Sequence, residues 1–273
     1  MFVLGFVWGE VAGLVSFLRS VGRSVWLAGM FAVAGTELLV KRPSTREARA
    51  DWLHRFAAGA IDRLGVEIVV AGTFPERGAV ISNHLSYLDI VVFAALHPCV
   101  FVSKAEIAAW PVVGWMTTMA GTVYVARGHG GSAVKARSGM QAAADAGLPV
   151  VFFPEGTTTN GSGLLKFHSG LLAQAMEERQ PITAAYLSYS LGPGNEATVA
   201  DDVCFWGDVK MLPHIFKLLG LKGIRAEVRF AEAPIAFSSD VLHRKLAAVE
   251  ARAAVVALGE QAGIEVPEGV HHF

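Results

Sequence analysis

Val80-Ile-Ser-Asn-His-Leu-Ser-Tyr-Leu-Asp89 is the stretch on which the reading of this chain turns. A short apolar run ends in Asn83-His84. Ser86, with Asp89 three positions on, then has the form of a helix N-terminus that continues through the apolar residues from Ile90 to Leu96. His84 is thereby placed in a strand-to-helix turn. Residues five apart in a straight helix lie about 140° apart around its axis, so His84 and Asp89 meet only if the turn folds the imidazole back over the first helical turn. In that case Asp89 accepts the Nδ1 proton, fixes the tautomer and leaves Nε2 to take a proton from a hydroxyl. This is a base without a nucleophilic serine of its own. A plainer reading also fits, with Asp89 only a capping-box residue and His84 a polar loop residue, and the stretch alone leaves both open.

Outward from this turn the pattern is one of alternation. Short β-rich runs at 67–71, 79–82, 99–103, 122–126, 150–153, 182–189 and 225–230 are separated by helical or turn segments at 86–96, 112–119, 132–146, 169–178 and 239–258. That is the pattern of an α/β protein. The early runs are almost wholly apolar, as strands covered on both faces are. A mixed, largely parallel central sheet flanked by helices is expected.

The first 40 residues differ. Two apolar runs, 1–18 and 25–40, are separated by Arg19-Ser-Val-Gly-Arg23. Each is about 25 Å long as a helix, a little under the roughly 30 Å hydrocarbon core. The expectation is a hydrophobic helical hairpin over 1–42 that binds a membrane, preceding a domain over 43–273. Charge agrees with this. Residues 1–50 hold six basic side chains (Arg19, Arg23, Lys41, Arg42, Arg46, Arg49) against three acidic ones (Glu10, Glu37, Glu47), a bias that anionic headgroups attract. With no basic segment before Phe2 and no clear small-x-small site, a cleaved signal peptide is not expected.

Composition excludes other classes. The 273 residues are 53% hydrophobic, with a formal net charge of −1, a mean hydropathy of +0.44 and a pI near 6.8. A nucleic-acid binder would carry a basic patch or a much higher pI. Cys99 and Cys204 lie far apart without metal spacing, which argues against a disulfide scaffold. No spacing of His, Cys, Asp and Glu points to a metal site, and no bound cofactor is expected.

Two further polar groups follow the His84 turn. Gly121-Thr-Val-Tyr-Val-Ala-Arg127 is a strand ending in arginine before a glycine-rich helix entry, the makings of an anion site. Gly128-x-Gly130-x-x-Ala133 also matches a short dinucleotide fingerprint, and a nucleotide-binding enzyme is the alternative it supports. Val150-Val-Phe-Phe-Pro-Glu-Gly-Thr-Thr-Thr159 is a buried strand opening into a polar loop. Ligands sit at such strand ends, where Gly156 lets backbone approach a ligand, Glu155 can hold a glycerol hydroxyl and the threonines can meet headgroup atoms.

Together the three stretches resemble the ordered NHxSxxD, GxxxxxR and FPEGT blocks of the glycerolipid (lysophospholipid) acyltransferases, over about residues 65–232. The resemblance implies that His84 is the general base and Asp89 its orienter. The acceptor hydroxyl then attacks the thioester of acyl-CoA or acyl-carrier protein directly. It also implies that Asn83, Ser86, Arg127, Glu155, Gly156, Thr157, Thr158 and Lys166 bind substrate, with Arg127 on the acceptor phosphate. The absence of a Gly-x-Ser-x-Gly elbow agrees with direct transfer. Phosphatidate-forming members usually carry arginine where Thr158 stands, and Phe205-Trp-Gly-Asp208 with Met211-Leu-Pro-His214 resembles the branch that includes lyso-ornithine-lipid acyltransferases. The implied acceptor is a lysolipid, met at the cytoplasmic face of a membrane. A non-catalytic lipid-binding protein is a further alternative.

Overall fold

Strands with no charge on either face form the middle of the sheet. In the computed structural model, residues 2–110, 113–126, 130–238, 243–261 and 263 are described, with the backbone alone for 2–12 and 130–133. The elements run α1 (Phe2–Lys41), α2 (Arg46–Leu64), β1 (Glu67–Ala71), β2 (Ala79–Ile81), α3 (Leu88–Leu96), β3 (Val100–Lys104), α4 (Val113–Met119), β4 (Val123–Val125) and α5 (Gly130–Asp145). They continue through β5 (Val150–Phe152), α6 (Ser169–Glu177), β6 (Ile182–Leu191), α7 (Val199–Asp202), α8 (Met211–Gly220), β7 (Ile224–Phe230) and α9 (Arg244–Gln261).

The seven strands lie in the order β1-β7-β6-β2-β5-β3-β4. β2 pairs parallel with β5 and β6, and β3 pairs parallel with β5 and β4. β7 is antiparallel to β6 and parallel to β1. The sheet is therefore mixed and largely parallel, as the alternation of runs predicts. Alternating side chains divide two cores. Val80 and Val151 meet Ala57 and Ile61 of α2, Phe93 of α3 and Leu218 of α8 on one face. Ala79, Ile81, Val150 and Phe152 meet Met140 of α5, Leu172 of α6 and Ala251 and Val255 of α9 on the other. The turns after β2 and β5 leave the same edge of this sheet, which brings the first and third sequence blocks together.

The N-terminal region departs from expectation. In place of a hairpin, α1 is one helix of 40 residues, about 60 Å long. Arg19 and Arg23, one turn apart, do not mark a loop. Arg19 Nη1 donates to the carbonyl of Gly220 at 2.6 Å, and Arg23 Nη1 donates to those of Leu219 and Leu221 at 3.1 and 2.6 Å. The two guanidinium groups thus cap the C-terminal end of α8, where carbonyls lack helical partners. Gly220 permits the approach, since a Cβ there would lie 2.6 Å from Ser20 Oγ. Further along, Ala34 and Leu38 pack with Trp52 of α2.

The result is a helix turned inside out. From Leu14 to Val40 the exposed positions are Leu14, Val15, Phe17, Leu18, Val21, Gly22, Val25, Ala28, Gly29, Ala32, Val33, Thr36, Leu39 and Val40, without a charge among them. The charged residues of that stretch, Arg19, Arg23 and Glu37, are only partly exposed. A soluble surface helix has the opposite arrangement. The segment Gly13–Lys41 is long and apolar enough to cross a membrane, and only 11% of its most apolar window is buried.

Helices α7 and α8 are not anticipated by sequence periodicity. Pro213 falls in the first turn of α8, where the missing N–H has no intrahelical partner to lose.

Candidate active site at the strand ends

The His84 turn is held from both sides before any side chain enters the chemistry. At the end of β2 the buried Asn83 stands in for another rung of sheet. Its Nδ2 donates to the Leu187 carbonyl and its Oδ1 accepts from the Leu187 N–H, both at 2.8 Å. Ser82 Oγ also donates to that Oδ1. Asn83, expected to bind substrate, therefore fixes β2 against β6, with both ends of its carboxamide engaged by Leu187.

The next residue is clamped by the third block. His84 N–H donates to Glu155 Oε1 at 2.8 Å, and Thr159 N–H donates to the His84 carbonyl at 2.9 Å. Glu155 Oε2 accepts from Leu165 N–H at 2.8 Å. Both oxygens of this buried carboxylate accept from backbone amides, so beside the expected contact to an acceptor hydroxyl Glu155 has a structural role, tying the His84 turn to the loop after β5. Burial pushes its carboxyl up to about 7 against the lowering effect of the two amide bonds, with the Asp89 charge raising it further and Arg252 lowering it. Arg252, from α9, donates to the carbonyls of Leu164 and Leu165 at 2.8 and 3.2 Å and holds the same loop.

Between these clamps the chain enters helical geometry only at Tyr87, and the 140° separation of a straight helix is avoided. Asp89 is fully buried. Its Oδ2 accepts from His84 Nδ1 at 2.7 Å, from Leu85 N–H at 2.6 Å and from Ser86 N–H at 3.0 Å. Capping and orientation are thus performed by one carboxylate, and the two readings of the stretch are compatible. Ser86 departs from its expected role: its buried Oγ neither caps α3 nor has any hydrogen-bond partner among the described residues. Asp89 Oδ1 accepts from the hydroxyl of Tyr189 at 2.8 Å. Burial, followed by the Asp89 charge, raises the Tyr189 phenol well above its ordinary value, which keeps it a donor.

The imidazole is also fixed in plane. Its ring stacks on Phe153 with centroids 4.0 Å apart and planes 8° apart. With Nδ1–H donating to a carboxylate, Nε2 is the lone-pair nitrogen. It has no hydrogen-bond partner among the described residues, and 16% of the side chain is exposed. An imidazole so held has its tautomer and direction set in advance, which is what a general base requires.

The remaining expected residues lie in the third block and its loop, or outside the described residues. Gly156 adopts a φ of 67° and bonds back to the Phe153 carbonyl at 3.0 Å. Such a φ favours glycine at the tip of the turn. Thr157 and Lys166 are exposed and Thr158 half-buried. Arg127 lies outside the described residues, as do Gly128 and His129 of the fingerprint. His214 is not a rival base, because its Nδ1 pairs with the Tyr87 hydroxyl at 3.0 Å and burial lowers its basicity. Cys204 is buried, and burial pushes its thiol up to about 12, which disfavours the nucleophilic thiolate. No cluster of His, Cys, Asp and Glu able to hold a metal ion occurs among the described residues.

Tyr189 and Arg252 escaped the sequence reading. Phe153 and Thr159 belong to the third stretch, but only the fold shows that the Phe153 ring stacks on His84 and that the Thr159 N–H meets its carbonyl. Tyr189 could have been placed only through register. Asn83 engages Leu187, and the strand period of two brings Tyr189 to the same face.

Comparison with known proteins agrees with this geometry. The family model described as Acyltransferase matches residues 66–188. A lyso-ornithine lipid O-acyltransferase from Pseudomonas aeruginosa is 33% identical over 221 residues, covering 80% of this chain and 79% of that one. A 1-acyl-sn-glycerol-3-phosphate acyltransferase from Neisseria gonorrhoeae is 32% identical over 176 residues, covering 62% of this chain and 69% of that one. The crystal structure of the 1-acyl-sn-glycerophosphate acyltransferase from Thermotoga maritima aligns with a TM-score of 0.64 over 92% of this chain and 98% of that one. At 18% identity this is a likeness of fold.

Proposed function

The chain belongs to the acyltransferase family, and on that premise we propose that it moves a fatty acyl group from acyl-CoA or acyl-carrier protein to the hydroxyl of a lysolipid, with His84 as general base. The observation that carries this reading is the His84 Nδ1 to Asp89 bond with Nε2 left unpartnered. As the acceptor oxygen attacks the thioester carbonyl, Nε2 takes its proton, and the carbonyl oxygen becomes the anion of a tetrahedral intermediate. Collapse breaks the C–S bond. The imidazolium returns the proton to the leaving thiolate, and the products are an acylated lipid and a free thiol. The buried Asp89 carboxylate opposes the imidazolium charge, and its four donors keep it in place.

The acceptor is a lysolipid of the lyso-ornithine or 1-acylglycerol-3-phosphate kind, as the names of the relatives favour. Arg127 is assigned to a phosphate on the acceptor. Gly156, Thr157, Thr158 and Lys166 are assigned to substrate binding, as the resemblance of the third block implies.

We also propose that α1 holds the enzyme in one leaflet at the cytoplasmic face rather than crossing the bilayer. From Ser16 to Leu38, about 33 Å of helix, one side of α1 is fastened to the folded domain, and the uncharged stripe faces away. A helix so attached lies along the interface with its apolar side in lipid. The acceptor is then met where it resides, without extraction into water.

The test is transfer of labelled acyl from acyl-CoA and acyl-carrier protein to lysophosphatidate, lysophosphatidylcholine and lyso-ornithine lipid, comparing wild type with His84→Ala. Product from wild type alone supports the assignment and identifies the acceptor. Substantial turnover by His84→Ala refutes the base.

A further inference from the structure

Helix α8 is amphipathic in an unusual sense, because its second apolar side also faces outward. His214, Leu218 and Leu219 are buried, whereas Leu212 is 74% and Phe216 37% exposed. These two are one turn apart, and the chain entering the helix adds Trp206 and Val209, both exposed. The Trp206 indole N–H is already satisfied by the Ala200 carbonyl at 2.9 Å, so its ring can enter an apolar medium without leaving a donor unpaired.

Two contacts give this patch its place. The Phe216 ring meets Phe17 of α1 edge-on at 5.8 Å, which joins it to the outward stripe where Leu14 and Leu18 are exposed. On its other side α8 adjoins the catalytic turn. His214 pairs with the Tyr87 hydroxyl, Phe205 N–H donates to the Leu85 carbonyl at 2.8 Å, and the Tyr87 and Phe205 rings lie 5.5 Å apart.

We propose that Trp206, Val209, Leu212 and Phe216 form a second lipid-contact surface, continuous with α1, that enters the acyl region of the same leaflet beside the active site. The inference rests on the membrane reading of α1 given above. Bilayer lipid is the occupant because the patch prolongs, through the Phe216–Phe17 ring contact, the uncharged outward stripe of α1; the exposed charges beside it, Asp201 and Asp208 against Lys210 and Lys217, are balanced in sign and stand at headgroup level. The consequence is an entry for the acceptor. A lysolipid chain lying against the joined outer face of α1 and α8 stays within the leaflet while its headgroup reaches the turn carrying His84.

The test uses the full chain with a nitrobenzoxadiazole label on Leu212→Cys, and on Val249→Cys of α9 as the control, the two native cysteines being buried. Vesicles contain equal parts of phosphatidylcholine and phosphatidylglycerol, with or without bromine on the upper acyl chain. The expected result is a blue shift and quenching at position 212 and neither at 249. A vesicle-bound protein whose label at 212 stays in water overturns the second surface and leaves the α1 anchor standing. Failure to sediment with vesicles overturns both. A blue shift without vesicles that grows with protein concentration overturns lipid in favour of a second copy of the chain. Independently, Leu212→Ser with Phe216→Ser should weaken vesicle partitioning about tenfold or more, and unchanged partitioning refutes the proposal.

Discussion

Glu155 sets burial against hydrogen bonding in one carboxylate, and the balance has a measurable sign. Two backbone amides at 2.8 Å favour its ionised form, while near-complete burial disfavours it and raises the group to about 7. A group whose folded pKa lies above its unfolded value binds more protons when folded. Its stabilising contribution is full below the unfolded value near 4.5 and is lost as pH rises through about 7. At 1.36 kcal/mol per unit, the loss amounts to about 2 to 4 kcal/mol. Glu155→Gln cannot titrate. It also exchanges one acceptor for a donor facing Leu165 N–H, at a pH-independent cost of about 1 to 3 kcal/mol. Urea unfolding in mild detergent, followed by tryptophan fluorescence from pH 4.5 to 8.5, should show the wild type losing its advantage over Glu155→Gln as pH rises. A constant difference refutes the raised pKa. A difference that grows with pH refutes the reasoning outright, because it means the two amide bonds outweigh burial.

Three other outcomes follow from the site. Asp89→Asn retains an acceptor for the three donors on Oδ2 but removes the charge opposing the imidazolium, so kcat should fall about 10²- to 10³-fold with the circular dichroism spectrum unchanged; a fall of less than threefold refutes the role of the charge. Tyr189→Phe removes the donor to Oδ1 and should lower stability by about 1 to 3 kcal/mol and reduce kcat with little change in KM, whereas a change confined to KM would place Tyr189 on the substrate. Arg127→Ala should raise KM for a phosphate-bearing acceptor by about tenfold or more, the equivalent of one charged hydrogen bond, and equal effects on phosphate-free acceptors refute its assignment.

The limits of the sequence reading are physical. The hairpin was expected because apolar composition looked interrupted at 19–23, yet nothing there breaks a helix, and the two arginines find their partners on a helix some 200 positions away. Asn83 and Glu155 are polar residues at a strand end, and sequence treats such residues as facing a ligand. In the fold both are buried and satisfied by backbone groups of Leu187, His84 and Leu165. Sequence could not supply these partners, because they depend on register between strands distant in the chain.

What the sequence by itself determined is the local part: the apolar strands, the turn carrying His84, and the carboxylate five residues on, all set by neighbours within one helical turn or one strand. Tertiary structure decided the rest. It supplied the Tyr189 hydroxyl on Asp89, the Phe153 ring under His84, the Glu155 and Arg252 clamps, and the outward apolar face of α1. Each of these depends on which surfaces are buried against each other, and burial is a property of the packed chain that no short window of sequence contains.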